Sequence, residues 1–380
     1  MNAVFRLIVA GVALALLVCV YLQWQAMRAW QPWEDFVAGF VQSDGRVIDV
    51  TAGARTVSEG QAYALFFALV ANDRERFDRI LAWTESNLAG GDITRNLPSW
   101  LWGEGGSGDS WSVRDANPAT DADLWIAYSL YEAARLWQEP SYLVKGRLVL
   151  WQIKTREIGG IDGMGPILIP APFGFETEDG GWRLNPSYWP EFQLQYFEHV
   201  DPSGPWSVIR ENAGSLLEQA VQNGVAPDWF EVSRTGDVRI DPATGGVASY
   251  DAIRVYLWAG MTQNSRWLPL FAPFVDVIRK RGNPPEFVDP ASAGIRGGEP
   301  LGYSAAVLPF LSALNEDTLL GTQQQRLDQG RQENGALGDP AHYYDQVLAL
   351  FGEGWQSDRY RFDEYGRLIP QWTCACVATR

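Results

Sequence analysis

Three short stretches of the chain place a carboxylate where a helix is predicted to begin. Glu59 follows Ser58 in S-E-G-Q, Asp121 is the first acidic residue of T-D-A-D, and Asp251 lies in S-Y-D-A-I-R. Carboxylates of this kind can perform general acid–base chemistry, in which one group donates a proton and another takes one from water. Each stretch also has an ordinary explanation, because helix N-termini favour acidic side chains.

The first stretch matches a capping box, with Ser58 as the N-cap, Glu59 as the first helical residue and Gln61 closing the box. At that position the helix dipole lowers the pKa of Glu59, whereas a general acid needs a raised pKa. If Glu59 is an acid, we therefore expect burial or a nearby carboxylate to oppose the dipole.

The other two stretches differ in what surrounds their carboxylates. Asp121 and Asp123 are two residues apart in a first turn, so they point to different sides and at most one enters a given site. We expect the other to cap amides or to pair with a basic neighbour. Arg254 follows Asp251 by one helical turn and favours its ionised form, as a general base requires. An i, i+3 ion pair is also common on ordinary helices.

Two loops are rich in aromatic residues, P-S-W-L-W-G at 98–103 and N-P-S-Y-W-P at 185–190. Flat aromatic rings with polar edges can stack on the apolar C–H faces of sugar rings. Most of the 18 tryptophans must nevertheless be core residues, because tryptophan is usually well buried. We expect three or four of them to line a cleft.

Composition excludes several classes of protein. The net charge of −16 argues against nucleic acid, which needs basic stripes, and against anionic membranes or acidic polysaccharides. With two histidines and no HExxH or G-x-S-x-G motif, a histidine-built zinc site or a Ser-His-Asp triad is poorly supplied. Three cysteines exclude a disulfide framework, and Cys374 and Cys376 are too close in sequence for a comfortable bridge.

The N-terminus is typical of an export signal, because Arg6 precedes an apolar run at 7–22. That run is short for a membrane span of roughly 20 residues. No clean A-x-A site follows it, so an uncleaved signal-anchor remains open. We expect residues 1–29 to be an export signal or anchor, residues 30–380 to be a single domain, and the protein to be periplasmic or secreted.

Apolar residues recur at helical spacing in about a dozen segments, so the fold is predicted to be mainly α with short β hairpins in its loops. An irregular bundle, a solenoid and a closed ring of helix pairs are all compatible with that spacing. Loops rich in Trp, Gly and Asp precede three of these segments, which indicates an elaborated rim. The helical segments are 33–42, 58–71, 73–89, 120–137, 141–157, 186–199, 205–222, 249–262, 266–281, 302–314, 316–332 and 340–351; the strand-like segments are 45–50, 166–170, 229–240 and 358–369.

Together these strings resemble glycoside hydrolase family 8, in the family's order and approximate spacing, from about residue 33 to 372. The longest match is A-T-D-A-D-L-W-I-A-Y-S-L-Y-E-A-A-R-L-W at 119–137. The chain looks most similar to the secreted endoglucanases encoded beside bacterial cellulose synthases. The resemblance implies an (α/α)6 barrel and an inverting endo-hydrolase of β-1,4-glucan that needs no metal or organic cofactor.

The resemblance also implies roles for individual residues. Glu59 matches the general acid, Asp251 the general base, and Asp121 the carboxylate that binds the sugar at the scissile bond. Tyr188 matches a tyrosine that helps to hold the attacking water. The residues that are expected to bind substrate are Tyr188, Trp102, Arg254 and Tyr250.

Other functions remain open from the sequence. A related hydrolase could act on chitosan, mixed-linkage β-glucan or xylan with the same acid. A non-catalytic glucan-binding scaffold is disfavoured because all three carboxylates are present, and a D-x-D metal-dependent transferase lacks further acidic ligands and a basic phosphate site. The expected partners are a β-glucan and, functionally, the cellulose synthase machinery, with the protein itself a monomer. Degradation and biosynthesis of cellulose are both compatible with these expectations.

Overall fold

A computed structural model describes residues 29–105 and 109–373. The predicted export segment lies outside this part of the chain except for residue 29, as do Cys374 and Cys376. Within the described ranges, none of the helices combines the length and apolar character that crossing a membrane requires. The helices in chain order are α1 (Gln31–Phe40), α2 (Ser58–Val70), α3 (Arg74–Asn87), α4 (Thr120–Trp137), α5 (Pro140–Arg156), α6 (Glu191–Val200), α7 (Trp206–Ala220), α8 (Ala252–Met261), α9 (Leu268–Phe271), α10 (Phe274–Arg281), α11 (Leu301–Ala306), α12 (Leu308–Ala313), α13 (Asp317–Gly330) and α14 (Tyr343–Gln356).

These helices form two layers. Helices α2, α4, α6, α8, the interrupted pair α11–α12, and α14 are buried on most or all sides. The nearly continuous apolar sequences of α2 and α8 predict this burial. Helices α1, α3, α5, α7, α9–α10 and α13 alternate with them along the chain and bury one face. The described chain is therefore an (α/α)6 barrel, and the ring of helix pairs is the correct choice among the three arrangements.

Aromatic side chains fill the inside of this ring and close it. The rings of Trp125 on α4 and Phe192 on α6 lie 5.7 Å apart, and that of Phe351 on α14 lies 4.5 Å from Phe67 on α2. Across the barrel, the ring of Trp258 on α8 lies 5.5 Å from Trp125 and 5.2 Å from Phe351. The tryptophan side chains near the barrel axis therefore belong to the core, as expected because tryptophan is usually well buried.

Short antiparallel strands occupy the loops, as predicted. They are β1 (Thr56–Val57), β2 (Ser99–Gly105), β3 (Asp109–Pro118), β4 (Ile158–Ile161), β5 (Gly165–Leu168), β6 (Trp182–Leu184), β7 (Phe230–Val232), β8 (Val238–Ile240), β9 (Phe287–Val288), β10 (Ile295–Arg296), β11 (Tyr360–Phe362) and β12 (Leu368–Pro370). They pair as β1-β2-β3, β4-β5, β6-β7-β8, β9-β10 and β11-β12. The strand predicted at 45–50 is wrong, because that segment forms only isolated bridges and the start of a 3-10 turn. The aromatic loop at 98–103 belongs mostly to β2.

The hairpin β11-β12 closes the end of the barrel that holds the C-termini of α4 and α6. Tyr128 donates a hydrogen bond from its hydroxyl to the carbonyl of Gly366 at 2.8 Å. Glu132, which is fully buried, accepts from the backbone N–H of Leu368 at 2.8 Å. The opposite end carries the N-termini of the inner helices and the hairpins that precede them, which is the rim that the sequence indicated.

Candidate active site

Glu59 is the second residue of α2 and its carboxyl group faces the barrel rim. The indole N–H of Trp100 on β2 donates to its Oε1 at 3.1 Å, and the hydroxyl of Ser58 lies 3.4 Å from its Oε2. The predicted capping box is wrong, since Val57 is the N-cap. Gln61 is instead fully buried, where its side-chain oxygen accepts from the backbone N–H of Val47 at 2.6 Å.

The electrostatic surroundings of Glu59 hold its carboxyl in the protonated form near neutral pH. Burial is the largest cause and the negative charge of Asp121 is the second; together they raise its pKa from 4.5 to about 8. A backbone hydrogen bond, the cation of Arg254 and the Trp100 indole act in the opposite direction without overcoming them. Burial and a nearby carboxylate, the two causes that the sequence led us to expect, therefore both oppose the lowering of the Glu59 pKa by the helix dipole.

Asp121 lies in the first turn of α4 and is 1% exposed. Its Oδ2 accepts from Nη1 of Arg254 at 2.9 Å, and its Oδ1 accepts from the backbone N–H of Ala122 at 2.9 Å. Burial raises the pKa of Asp121 to about 6, against the cation of Arg254, and the charge of Asp251 adds to the rise. At neutral pH this carboxylate is ionised, which makes it the charge that acts on Glu59.

Arg254 on α8 connects the carboxylates. Its guanidinium donates to Asp121, to Oδ1 of Asp251 at 2.7 Å, to the hydroxyl of Tyr63 at 2.8 Å and to that of Ser187 at 2.7 Å. The residue is only 5% exposed, so these partners replace its hydration. One buried cation therefore joins the first turns of α4 and α8 to side chains from α2 and from the turn before α6.

Asp251 is the N-cap of α8 and keeps part of its carboxyl in contact with solvent, with 31% of the side chain exposed. Its second oxygen, Oδ2, accepts from the indole N–H of Trp229 at 3.1 Å. The helix start is held by Asp228, which accepts from the backbone N–H groups of Ser249 and Ala252 at 2.7 and 2.8 Å. The hydroxyl of Ser249 also donates to Asp228.

Asp123 turns away from the site, as the i, i+2 spacing predicts, but its predicted partner is wrong. Instead of a basic group or free amides, it faces Glu157 at the C-terminus of α5, and both side chains are fully buried. Burial and the charge of Glu157 raise the pKa of Asp123 well above its usual range, and burial raises that of Glu157 to about 8. The two carboxyls lie side by side and can satisfy one another only by sharing a proton.

Of the remaining predicted site residues, Tyr188 lies beside Arg254, whereas Tyr250 is exposed and bonds to a residue outside the site. Tyr188 lies in a 3-10 turn before α6, with its ring 5.7 Å below the Arg254 guanidinium. Burial is the largest cause that raises the pKa of its hydroxyl, and the charges of Asp121, Glu59 and Asp251 add to the rise. Tyr250 is 44% exposed and donates to Glu286 at 3.0 Å.

Trp102 packs with other aromatic residues of the rim. Its ring is stacked on Trp111 at 5.1 Å and meets Trp83 edge-on at 5.4 Å. The guanidinium of Arg46 lies 4.2 Å from the centre of the Trp102 ring and 4.4 Å from that of Trp111. Within the same strand, the residue that contacts a carboxylate is Trp100, which the sequence did not single out.

The arrangement therefore brings Glu59, Asp121, Asp251, Arg254 and Tyr188 together at the N-terminal ends of the inner helices. A protonated carboxyl, an ionised carboxylate beside it, and a partly exposed carboxylate on a different helix are the groups that hydrolysis with acid and base assistance needs. An (α/α)6 barrel with this constellation defines the class of protein as a glycoside hydrolase.

The family model of glycosyl hydrolases family 8 matches residues 6–358, and the chain belongs to this family of inverting glycoside hydrolases. An endoglucanase of Xanthomonas axonopodis pv. citri is 45% identical over 377 residues, which cover 97% of each chain. An endoglucanase of Escherichia coli K12 is 41% identical over 359 residues, covering 93% of this chain and 94% of the relative.

Solved structures give the same family and the same fold. The endo-1,4-D-glucanase of Vibrio fischeri ES114 superposes with a TM-score of 0.83 at 39% identity, covering 90% of this chain and 99% of that one. A cold-adapted family 8 xylanase superposes with a TM-score of 0.64 at 17% identity, which shows the barrel alone.

Proposed function

We propose that this protein is an endo-β-1,4-glucanase that hydrolyses internal bonds of cellulose with inversion, using Glu59 as general acid and Asp251 as general base. The observation that carries the proposal is the contrast between the two carboxyls. Glu59 has a pKa of about 8, whereas Asp251 accepts hydrogen bonds at both oxygens and remains partly exposed to water. The names of the relatives, endoglucanase and endo-1,4-D-glucanase, agree with the substrate.

The chemistry follows from this contrast. Glu59 gives its proton to the glycosidic oxygen as that bond breaks, and Asp251 takes a proton from a water that attacks the opposite face of the sugar. The anomeric carbon passes through an oxocarbenium-like transition state and is inverted. Asp121, ionised and fixed by Arg254, stabilises the developing positive charge on the ring and keeps Glu59 protonated before attack. The resemblance to the family assigns Tyr188 to holding that water, and its ring lies 5.7 Å from the Arg254 guanidinium, which supports this role.

A neutral glucan suits the rest of the molecule. The net charge of −16 disfavours acidic polymers, whereas the stacked Trp102 and Trp111 give the rim an aromatic surface for sugar rings. Trp111 is 38% exposed, so part of that surface is accessible to a ligand.

The test is product analysis with purified protein. We expect a rapid fall in the viscosity of hydroxyethylcellulose, which is a neutral and soluble form of cellulose, and internal cleavage of cellopentaose to shorter cello-oligosaccharides. Chitosan, mixed-linkage β-glucan and xylan should release less reducing sugar. Glu59→Gln protein purified in parallel controls for contaminating hydrolases. Faster release from one of the other polymers would reassign the substrate, and binding of cellulose without turnover would favour the scaffold.

We further propose that the protein is exported and acts on cellulose outside the cytoplasm, in the periplasm or beyond. The support is the Arg6 charge followed by the apolar run at 7–22. Fractionation of cells that express the full chain tests this, and activity confined to the cytosolic fraction would contradict it. Co-purification with the cellulose synthase complex would add the expected functional association.

A further inference from the structure

Each oxygen of the Asp251 carboxylate accepts a hydrogen bond, and the two donors come from different parts of the chain. Arg254, one turn along the same helix, donates to Oδ1 at 2.7 Å, and Trp229, which lies 22 residues earlier, donates to Oδ2 at 3.1 Å. A single donor would leave the carboxylate free to rotate about its Cβ–Cγ bond. Two donors on separate oxygens fix the plane of the group and leave its remaining lone pairs in a defined direction.

The indole of Trp229 is itself held in place. The guanidinium of Arg183, on β6, lies 4.0 Å from the centre of its ring, and the ring of Phe175 is stacked at 5.6 Å with an interplanar angle of 13°. Arg183 in turn donates to both oxygens of the fully buried Asp241, at 2.8 and 3.1 Å. Thr244 adds its backbone N–H and its hydroxyl to the same carboxylate.

The backbone on either side of this contact is fixed as well. Asp228, the residue before Trp229, accepts from the N–H groups that open helix α8, so the same dipeptide holds the start of the helix and the side chain of its N-cap Asp251. The segment then continues into β7, which pairs with β6 and β8. A three-stranded sheet therefore fixes the segment that follows Trp229.

We propose that Trp229 is a positioning residue for the general base: its indole N–H orients the Asp251 carboxylate toward the attacking water, and Arg183 with Asp241 holds the indole. The inference rests on the proposed function. Trp100 makes the corresponding contact on the acid side, with its N–H 3.1 Å from Oε1 of Glu59. The two indoles therefore act on different halves of the reaction, and their effects can be separated by the choice of leaving group.

The experiment compares Trp229→Phe with the wild type on cellopentaose and on β-cellobiosyl fluoride. Phenylalanine keeps a ring between Arg183 and Phe175 but removes the N–H. Fluoride leaves without needing a proton from Glu59, whereas attack by water needs the base with either substrate. Loss of a hydrogen bond to a charged group predicts a kcat about 10- to 100-fold lower on both substrates, with KM changed about threefold at most.

Two matched variants give the comparison. Trp100→Phe should lose activity on cellopentaose and keep most of it on the fluoride, because its defect lies on the acid side. Trp137→Phe removes a hydrogen bond of 2.8 Å from the indole N–H to Asn72. This bond lies far from the carboxylates, so the variant should match the wild type on both substrates. If Trp229→Phe does not fold, Arg183→Met, which leaves the indole and removes its cation, should lower kcat on both substrates.

The outcomes are distinct. Wild-type kcat for folded Trp229→Phe, or a defect that β-cellobiosyl fluoride relieves, would overturn the positioning role while leaving the proposed function in place. An Asp251→Asn variant that still cleaves cellopentaose would overturn the base assignment itself. A rise in KM at unchanged kcat would make Trp229 a sugar-binding residue and would also contradict the proposal.

Discussion

The effect of Asp121 on the alkaline limit of activity can be worked out from the site. As the proposed general acid, Glu59 must be protonated to act, so its pKa, which is raised to about 8, should set the pH above which the rate falls. Asp121, with a pKa of about 6, is ionised throughout that range and is the second cause of the rise. Asp121→Asn removes this charge and leaves the cation of Arg254 without its buried partner, and both changes lower the pKa of Glu59.

The size of the shift follows from the charges. A neighbouring charge of this kind moves a pKa by about 1 to 3 units, so the alkaline limb of kcat/KM should move down from about pH 8 by at least about one unit. Each unit costs about tenfold in protonated enzyme above the limb. Below about pH 6 Asp121 is itself protonated, so the charge difference between the wild type and the variant disappears there.

The assay is kcat/KM on cellopentaose across the pH range, because this ratio reports groups of the free enzyme. Asp123→Asn is the matched control: it lies two residues along α4, its pKa is raised well above the usual range, and it faces Glu157 instead of the site. The control should leave the alkaline limb where it is. An alkaline limb that stays in place or moves upward in Asp121→Asn would refute the electrostatic reasoning.

Three further changes test the structure around the site. Burial raises the pKa of Glu157 from 4.5 to about 8. The stability that this group contributes is therefore fully present below pH 4.5 and is lost as the pH rises through about 8. Glu157→Gln should reduce the fall in Tm between these two pH values. Arg254→Lys keeps the charge but cannot reach four partners, and kcat on cellopentaose should fall by at least about 100-fold while KM changes less. Gly260→Ala would place a Cβ 2.2 Å from the backbone nitrogen of Phe310, and chemical denaturation should show a loss of about 1–3 kcal/mol or more.

Much of the architecture could be predicted from helical periodicity, because apolar residues recur at helical spacing in both the inner and the outer helices. Periodicity did not distinguish a ring from a solenoid, since the closure between α14 and α2 depends on contacts such as that of Phe351 with Phe67, 284 residues apart in sequence. The resemblance to family 8 supplied that choice. The strand predicted at 45–50 is wrong because, within the described residues, this segment pairs only through the single bridges Val41–Val47 and Asp49–Arg55.

The carboxylates of the site could be predicted because each lies at a helix start, where local sequence carries a signal. Arg254, one helical turn after Asp251, could be predicted as its partner, but the other groups that hold the carboxylates could not. Trp229 and Asp228 precede Asp251 by 22 and 23 residues and are brought to it by the β6-β7-β8 sheet, and Trp100 reaches Glu59 from β2. In the sequence, Trp100 was marked only as part of the aromatic loop at 98–103, and Trp229 only as the first residue of the strand predicted at 229–240.

Tertiary contacts also overrode local capping preferences. Gln61 does not close the predicted box, because buried backbone groups of residues 45–47 and the hydroxyl of Thr84 recruit its amide. Asp123 meets Glu157 across 34 residues, a pairing of like charges that local rules disfavour. In both cases, burial makes satisfying a distant polar group more important than completing a local motif.

The most direct test of the two catalytic assignments is the turnover of cellopentaose and β-cellobiosyl fluoride by Glu59→Gln and Asp251→Asn. Both variants should lose hydrolysis of cellopentaose by about 10²-fold to 10⁴-fold or more, because each removes one positioned proton transfer. Glu59→Gln should still hydrolyse the fluoride, which needs no acid, and Asp251→Asn should not. Near-normal turnover of cellopentaose by Glu59→Gln, or of the fluoride by Asp251→Asn, would contradict the account.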